Sequence, residues 1–187
     1  MFIVEKEPRS MAAERYRTLK TNIQYSSFDK EYRVIVVTSS ENGEGKSITS
    51  GNLALCMAEE DKRVILIDCD LRRPSLHKIF KVSNSVGLSD VLIGKADLIT
   101  SIYEYNDNLA LLTSGKIPPN PSEMLSSEIM EELLDTFKES FDYIILDTPP
   151  VLDVTDSQIL SAKADGTILV VRAKKLRKIR LKVQLSF

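Results

Sequence analysis

A glycine-rich segment, Gly43-Glu44-Gly45-Lys46-Ser47, lies between an apolar run and a stretch of helical character. Glycines let successive backbone N–H groups turn inward around an anion, and a helix that begins there points its positive end at the same anion. A lysine here places a cation at the β- and γ-phosphates of a nucleotide, and a serine hydroxyl is a magnesium ligand. The segment therefore predicts a P-loop for ATP and Mg²⁺, although Ser40 stands where the usual pattern begins with glycine.

Acidic residues end the next apolar run, in Asp68-Cys69-Asp70-Leu71-Arg72. Side chains alternate along a strand, so Asp68 and Asp70 are expected on the same side, and the carboxyl ends of parallel strands line the ligand crevice of a sheet. Two carboxylates at such a place are able to hold Mg²⁺ through its waters, and one of them is able to accept a proton. Acids at strand ends often only cap the next turn, but the neighbouring P-loop favours the functional interpretation.

A third apolar run, Tyr143–Leu146, ends on Asp147 and continues as Thr148-Pro149-Pro150. In P-loop enzymes an aspartate after such a strand helps to hold magnesium. The candidate catalytic residues are thus Lys46, Asp68, Asp70 and Asp147. The candidate magnesium ligands are Ser47, Asp68 and Asp147.

Continuous aliphatic runs indicate strands that are buried on both faces. The predicted strands are Val34–Val37, Val64–Ile67, Tyr143–Leu146 and Thr167–Val171, with Leu109–Leu112 as a fifth candidate. The predicted helices are Pro8–Phe28, Lys46–Glu60, Pro121–Ser140 and Thr155–Lys163, the third of them capped by Asn120. This alternation predicts an α/β, three-layer, P-loop NTPase-like fold with a mostly parallel central sheet and helices on both faces. Without a linker or repeat, residues 1–187 are interpreted as a single domain.

Composition excludes several classes of protein. Apolar residues make up 43% of the 187 residues and charged residues 28%, as in soluble globular proteins. No apolar run reaches the roughly 20 residues that span a bilayer, and no signal-peptide pattern begins the chain. Cys56 and Cys69 lack metal-ligand spacing and lie in predicted core elements, which favours a reducing, cytoplasmic location. The sequence has no basic stripe interleaved with aromatic residues, so nothing in it suggests a nucleic-acid partner.

The chain resembles the bacterial tyrosine kinases of capsule and exopolysaccharide biosynthesis, a family that reuses a P-loop ATPase fold. The family's second nucleotide motif, D-x-D-x-R, matches Asp68, Asp70 and Arg72, and its later strand-end aspartate matches Asp147. The stretches from Gly115 to Glu123 and from Asp147 to Pro150 resemble further family signatures. The resemblance covers about residues 5–173.

The resemblance implies transfer of phosphate from ATP to protein tyrosines, with Mg²⁺ as the metal. The residues it implies for nucleotide binding are Gly43, Glu44, Gly45, Lys46, Ser47, Ile48 and Arg72. It implies a homo-oligomeric ring through an N-terminal helix region, 1–28, where Glu14, Arg17 and Lys20 resemble the motif E-x-x-R-x-x-R with lysine as a departure. For the family's stand-alone cytoplasmic form, it also implies a transmembrane activator of polysaccharide export that recruits the kinase to the inner face of the plasma membrane.

The end of the chain departs from the family pattern. Relatives continue through another helix and strand to a tyrosine cluster, whereas none of the six tyrosines here lies beyond Tyr143. We therefore expect a truncated domain that phosphorylates itself weakly. After Asp165 there are seven basic residues and no acid, with Leu176, Ile179 and Val183 at helical spacing. This segment is interpreted as the start of the family's next helix in preference to a lipid-binding helix.

Two other functions are compatible with the same motifs. An ATPase switch of the chromosome-partitioning or septum-positioning type carries a lysine five positions before the P-loop lysine, where this chain has Glu41. That difference argues against a switch. A nucleotide-binding regulatory subunit without useful kinase activity stays open. His77, Tyr103 and Tyr105 are interpreted as surface or packing residues.

Overall fold

The computed structural model describes residues 2–26, 31–59 and 61–173. The helices are α1 (Ile3–Lys6), α2 (Met11–Tyr25), α3 (Lys46–Ala58), α4 (Leu76–Phe80), α5 (Leu88–Leu92), α6 (Leu98–Ser101), α7 (Pro121–Ser126), α8 (Glu128–Ser140) and α9 (Asp156–Lys163). The strands are β1 (Val34–Ser39), β2 (Val64–Asp68), β3 (Tyr103–Glu104), β4 (Leu109–Leu112), β5 (Tyr143–Asp147) and β6 (Gly166–Val170).

The strands form one six-stranded sheet in the order β3-β4-β2-β5-β1-β6. Every neighbouring pair is parallel except β3 with β4, which is antiparallel. The predicted α/β fold with a mostly parallel sheet is therefore confirmed. The parallel pairing brings the carboxyl ends of β1, β2 and β5 to one edge of the sheet, where the polar residues of the predicted site follow.

Alternation along the strands divides the core between the two faces of the sheet. Ile35 and Val37 of β1 pack with residues of α1, α2, α3 and α4, whereas Val34 and Val36 pack with residues of α5, α7, α8 and α9. Full burial of each such aliphatic side chain contributes about 1.5–3 kcal/mol. The helices thus cover both faces of the sheet and make the fold three-layered.

The amino-terminal helix α1 was not predicted, because four residues are too few to show a helical period. Its position is fixed by α3. The Phe2 ring lies where a side chain at Gly51 would be, since a Cβ built there stands 2.1 Å from Phe2 Cε1. The Val4 N–H donates to Asn52 Oδ1 at 3.2 Å. A glycine and an asparagine on α3 therefore hold the amino-terminal segment against the core.

The helix predicted over Pro121–Ser140 is wrong as a single element. Ser127 has an extended backbone (φ −64°, ψ 157°), and its hydroxyl accepts a hydrogen bond from the Met130 N–H at 3.3 Å. It therefore ends α7 and caps α8. Asn120 occupies the predicted N-cap position before Pro121, but its side chain makes no capping hydrogen bond and instead donates to Glu123 at 2.7 Å.

The prediction that the last strand is buried on both faces is wrong. Thr167 and Leu169 of β6 are exposed, whereas Ile168 and Val170 are partly buried against the α3 side of the core. β6 lies at the edge of the sheet formed by the described residues, and on its exposed face Thr167 donates a hydrogen bond to Ser161 of α9 at 3.0 Å. The predicted helix with Leu176, Ile179 and Val183 lies outside the described residues. Among the described helices, none has the length and apolar character needed to cross a membrane.

Candidate active site

The predicted acidic residues converge at the carboxyl edge of the sheet. Asp68 and Asp147 end the adjacent strands β2 and β5 and are register partners. The Cys69 N–H donates to the Asp147 carbonyl at 2.8 Å, which extends the pairing beyond Asp68. Both carboxylates are fully buried. The sheet itself therefore fixes these two acids side by side below the P-loop.

The P-loop requires glycine at two positions. Gly43 has φ +79° and Gly45 φ +99°, in the left-handed region that side chains rarely adopt. α3 begins immediately afterwards at Lys46, so its first N–H groups have no intrahelical acceptors and face an anion site. A cavity of about 410 Å³ opens here, lined by Gly43, Gly45, Lys46, Ser47, Ile48, Asp70, Arg73, Ser75 and Arg172, among others.

Lys46 is buried between carboxylates. Its Nζ lies 3.0 Å from Asp70 Oδ2 and 3.6 Å from Asp147 Oδ2, and it donates to Ser47 Oγ at 3.3 Å. Burial lowers the pKa of Lys46, but the attraction of Asp147 and Asp70 outweighs burial and raises that pKa above its ordinary value. The lysine is therefore charged, and it provides the cation that a P-loop requires.

Asp68 is held by backbone N–H groups of the loop that follows it. Its Oδ1 accepts from the Asp70 N–H at 3.2 Å, and its Oδ2 accepts from the N–H groups of Ser75 and Leu76 at 3.0 and 2.9 Å. Burial, together with the nearby Asp147 charge, raises the pKa of Asp68 to about 7 despite these donors and Lys46. Asp68 thus shapes the loop between β2 and α4.

The oxygen atoms around Asp147 suit a magnesium ion. Asp147 Oδ1 accepts from the Ser50 hydroxyl at 3.0 Å, whereas the buried Oδ2 has no hydrogen-bond partner among the described residues. Burial raises the pKa of Asp147, and Lys46 and the hydroxyl of the nearby Ser47 oppose that rise. A hydroxyl and buried carboxylates are the hard oxygen ligands that Mg²⁺ prefers.

These protein oxygens are not a complete metal cage. In the described part of the chain, no three side chains of His, Cys, Asp or Glu are grouped to hold a metal ion. Mg²⁺ commonly takes one or two protein ligands and completes its octahedron with phosphate oxygens and water. Ser47 and Asp147 therefore fit a magnesium ion that arrives with a nucleotide better than one bound by the protein alone, whereas both oxygens of Asp68 already accept backbone hydrogen bonds.

Glu44 supports the P-loop with its side chain. Its carboxylate accepts hydrogen bonds from the Ser40 hydroxyl at 2.6 Å, the Glu41 N–H at 3.0 Å and the Arg172 N–H at 3.2 Å. The Ser40 and Glu41 bonds lower the pKa of Glu44 to about 2. Only the backbone of Glu44 is left for the predicted contact with nucleotide. The carboxylate instead joins the P-loop to the residues after β6.

The structure does not bring Arg72 to the P-loop cavity. Its guanidinium donates to both oxygens of the buried Asp156, at 2.9 and 3.2 Å, and to the Ser122 hydroxyl at 3.0 Å. The neighbouring Arg73 lines the cavity instead. This geometry does not support the predicted nucleotide contact of Arg72, because the fork that would meet a phosphate is occupied by a carboxylate.

Three residues at the site were missed by sequence reasoning. Ser75 donates its hydroxyl to Ser47 Oγ at 2.8 Å, and Arg73 and Arg172 line the cavity. Arg73 and Ser75 follow the D-x-D-x-R motif closely enough for their position to be a usable signal. No sequence feature distinguishes Arg172 from the basic residues that follow it.

The three residues of the predicted oligomerisation motif lie in different surroundings. Arg17 binds both carboxylate oxygens of Glu59 at 3.1 Å and the Pro8 carbonyl at 2.7 Å. Lys20 is buried, whereas the Glu14 side chain, which lies 3.5 Å from Arg17 Nη1, is 67% exposed. Within one chain, Glu14 is thus the member of the motif that is most accessible to a neighbouring subunit.

The similarity of this chain to known proteins identifies its family. An AAA domain family matches residues 32–179. The tyrosine-protein kinase YwqD of Bacillus subtilis (strain 168) is 45% identical over 177 residues, which are 94% of this chain and 75% of that protein. The solved kinase domain of Escherichia coli tyrosine kinase ETK has a TM-score of 0.87 at 34% identity, covering 91% of this chain and 68% of that one.

A more distant structural relative is the septum site-determining protein MinD of Pyrococcus horikoshii OT3, solved in complex with Mg-ADP. It has a TM-score of 0.63 at 26% identity, and the match covers 74% of this chain and 57% of that chain. The fold is thus shared with P-loop ATPases, whereas the sequence is closer to the kinases. The chain therefore belongs to the family of bacterial tyrosine-protein kinases, whose domain is a relative of the P-loop ATPases.

Proposed function

We propose that this chain binds ATP with Mg²⁺ in the P-loop cavity and transfers the γ-phosphate to tyrosine hydroxyls of proteins in capsule or exopolysaccharide biosynthesis. The observation that carries the proposal is the meeting of Lys46 with Asp70 and Asp147 beside the P-loop, in a member of a tyrosine-kinase family. Phosphoryl transfer depends mainly on positioning and charge stabilisation, and this cluster has charges of both signs in place.

The proposed roles follow from the contacts. The ammonium of Lys46 neutralises charge on the β- and γ-phosphates, after it exchanges the Asp70 carboxylate for phosphate oxygen. Ser47, Asp147 and Asp68 are the proposed magnesium ligands, directly or through water. Bound Mg²⁺ supplies neutralisation of the charge that develops on the transferred phosphoryl group. The burial of the carboxylates strengthens each of these interactions, because water screens them weakly.

Asp70 is the better candidate to receive the tyrosine proton. Asp68 does not line the cavity and has both oxygens engaged by N–H groups, whereas Asp70 lines the cavity and is released when Lys46 turns to phosphate. The phenol oxygen then attacks the γ-phosphorus, the bond to the bridging oxygen of ADP breaks, and the phenol proton passes to Asp70. Asp68 positions Ser75, whose hydroxyl contacts Ser47.

We extend the proposal to partners. Residues 1–187 act as one kinase domain that forms a homo-oligomer through the helix region 1–28, with Glu14 reaching the neighbouring subunit. A transmembrane activator of polysaccharide export recruits the domain to the inner face of the plasma membrane. Family membership supports these assignments, and the exposure of Glu14 supports the first of them.

The test is mass spectrometry of a tyrosine peptide after incubation with the protein and Mg-ATP. We expect phosphotyrosine with the unaltered protein and none with Asp147→Asn, while Glu128→Gln, an exposed acid at the start of α8, matches the unaltered protein. An unmodified peptide despite measured ATP binding, with and without an activator segment, would replace this proposal with the nucleotide-binding regulatory subunit.

A further inference from the structure

A groove of about 620 Å³ lies beside the P-loop cavity and is larger than that cavity. We name it the cationic groove, after its lining side chains Arg72, Arg73, Lys78 and Lys116. Arg73 and Ser75 line both the cationic groove and the P-loop cavity. A chain segment bound in the groove would therefore reach two residues that also line the P-loop cavity.

The charge of the cationic groove is of one sign. No acidic residue is among the residues that line it in the described part of the chain. Arg72 is neutralised by Asp156, but the side chains of Arg73, Lys78 and Lys116 are exposed and make no ion pair with a described residue. Like charges gathered in a concave surface repel each other and attract an anionic partner.

The walls of the groove are built from two separate segments together with Asn84. One is the turn and start of α4 that carry Arg72 to Lys78, and the other is the Gly115–Ile117 segment after β4. The second segment belongs to the stretch from Gly115 to Glu123 that resembles a family signature. No residue of that stretch has a role in the proposed phosphoryl transfer. The exposed Ile117 adds an apolar contact beside the charges.

Hydrogen bonds fix the second wall in place. The Asn84 amide donates to the Gly115 carbonyl at 2.8 Å, and its oxygen accepts the Gly115 N–H at 3.1 Å. Gly115 has φ +74°, and a Cβ there would stand 2.4 Å from Asp90 Oδ2, so no other residue fits without a shift. The Ser89 hydroxyl binds the Lys116 carbonyl at 2.6 Å. A groove shaped before binding loses little entropy when it is occupied.

We propose that the cationic groove binds acidic residues that flank the acceptor tyrosine of a protein substrate. The inference rests on the proposed kinase function and narrows its substrates to tyrosines in acidic segments. A polypeptide fits the shape and chemistry together, because glutamate or aspartate side chains reach Lys78 and Lys116 while the tyrosine reaches the shared end at Arg73.

The test compares a short peptide with a central tyrosine flanked by glutamates and a twin with glutamines in their place. The variant is the double substitution Lys78→Gln with Lys116→Gln, neither of which touches the P-loop cavity. The control removes the same charge elsewhere, at the exposed Lys6 and Lys95. We expect kcat/KM to favour the glutamate peptide about tenfold, the variant to lose about three- to tenfold on that peptide alone, and the control to keep the preference.

A version of the glutamate peptide in which phenylalanine replaces the tyrosine cannot be phosphorylated. Its binding, measured by fluorescence anisotropy, separates docking from catalysis. Binding that depends on Lys78 and Lys116, without phosphorylation of either tyrosine peptide, upholds the groove and overturns the kinase proposal. Phosphorylation of both peptides at equal kcat/KM, or an acidic preference that survives the double variant, overturns the groove. Equal competition by inorganic phosphate or by a sulfated polysaccharide overturns the peptide assignment, because the groove would then bind any anion.

Discussion

The Nζ atom of Lys46 lies 3.0 Å from Oδ2 of Asp70, and both side chains are almost fully buried. The P-loop lysine is therefore paired with a carboxylate. The proposed function requires this ammonium to exchange the carboxylate oxygen for a phosphate oxygen. That exchange would release Asp70 when a phosphorylated ligand is bound, which would couple the proposed proton acceptor to the presence of ATP.

Substituting Lys46→Met is expected to abolish measurable Mg-ATP binding. The same change should destabilise the fold by about 3 kcal/mol at neutral pH, because it leaves Asp70 and Asp147 buried without their cation. The loss of stability should shrink as the pH falls, since the Asp147 carboxyl, whose pKa is raised by burial, is then protonated. Calorimetry of nucleotide binding and urea unfolding at several pH values measure both effects.

The control for Lys46→Met is Lys95→Met, an exposed lysine distant from the P-loop in the chain. Mg-ATP affinity in Lys46→Met equal to that of the control would contradict the assigned role. A pH-independent loss of stability would contradict the explanation from buried charge.

Asp68→Asn is expected to lower kcat by about 100-fold or more, the range typical of lost proton-transfer or electrostatic groups. Asparagine keeps one acceptor for the Ser75 and Leu76 N–H groups but removes the charge beside Asp147. Asp107→Asn, in the exposed turn between β3 and β4, should leave turnover unchanged. Steady-state kinetics decide the matter, and equal turnover in the two variants would remove Asp68 from the site.

Arg72 and Arg73 are expected to behave differently although they are neighbours. Arg72→Ala should lower the free energy of unfolding by about 2 kcal/mol, because the buried Asp156 loses its partner. This figure is smaller than for a fully buried ion pair, because water reaches the partly exposed Arg72 side chain. Mg-ATP affinity should change little. Arg73→Ala should weaken Mg-ATP binding several-fold with little loss of stability. Thermal unfolding and calorimetry on the same preparations measure this, and the reverse pattern would restore Arg72 as the nucleotide contact.

Tyr105 is expected to ionise at about pH 12. Burial and the hydrogen bond from its hydroxyl to Glu5, at 2.9 Å, raise the pKa of Tyr105 from its ordinary value near 10 to about 12. The folded-state pKa is the higher one, so the stabilisation is complete below pH 10 and is lost as the pH rises towards 12. Ultraviolet titration of tyrosinate in the protein and in Tyr105→Phe measures the difference.

Glu5→Gln provides a matched control for Tyr105, because it keeps a hydrogen-bond acceptor and removes the charge. The late ionisation should move down towards pH 10. If the curves of the protein and Tyr105→Phe differ only by a component near pH 10, the Tyr105–Glu5 contact does not exist in solution.

The sequence predicts the centre of the site well for a physical reason. Asp68 and Asp147 each end an apolar run, and parallel strands carry their ends to one edge, so strand order alone makes them neighbours. The residue type of Gly43 and Gly45 already indicates their backbone conformation, because their positive φ angles suit glycine better than any other residue. These features are local, and local features can be read from a sequence.

Other features depend on residues distant in sequence. The turning of Arg72 away from nucleotide depends on Asp156, 84 positions later, and the role of Glu44 depends on Arg172, 128 positions later. Ser127 divides a helical pattern because its hydroxyl caps the second half, which periodicity does not reveal. Thr167 and Leu169 are exposed on β6, and the apolar character of that strand does not reveal how its faces are covered.

The most direct test of the central claim follows the γ-phosphate of labelled ATP in the presence of Mg²⁺ and an acidic tyrosine peptide. We predict that the unaltered protein transfers more label to tyrosine than it releases as inorganic phosphate, because the phenol displaces water from the position beside Asp70. Asp147→Asn should produce neither product. Label found only as inorganic phosphate, with the peptide unmodified, would contradict the kinase and indicate an ATPase switch.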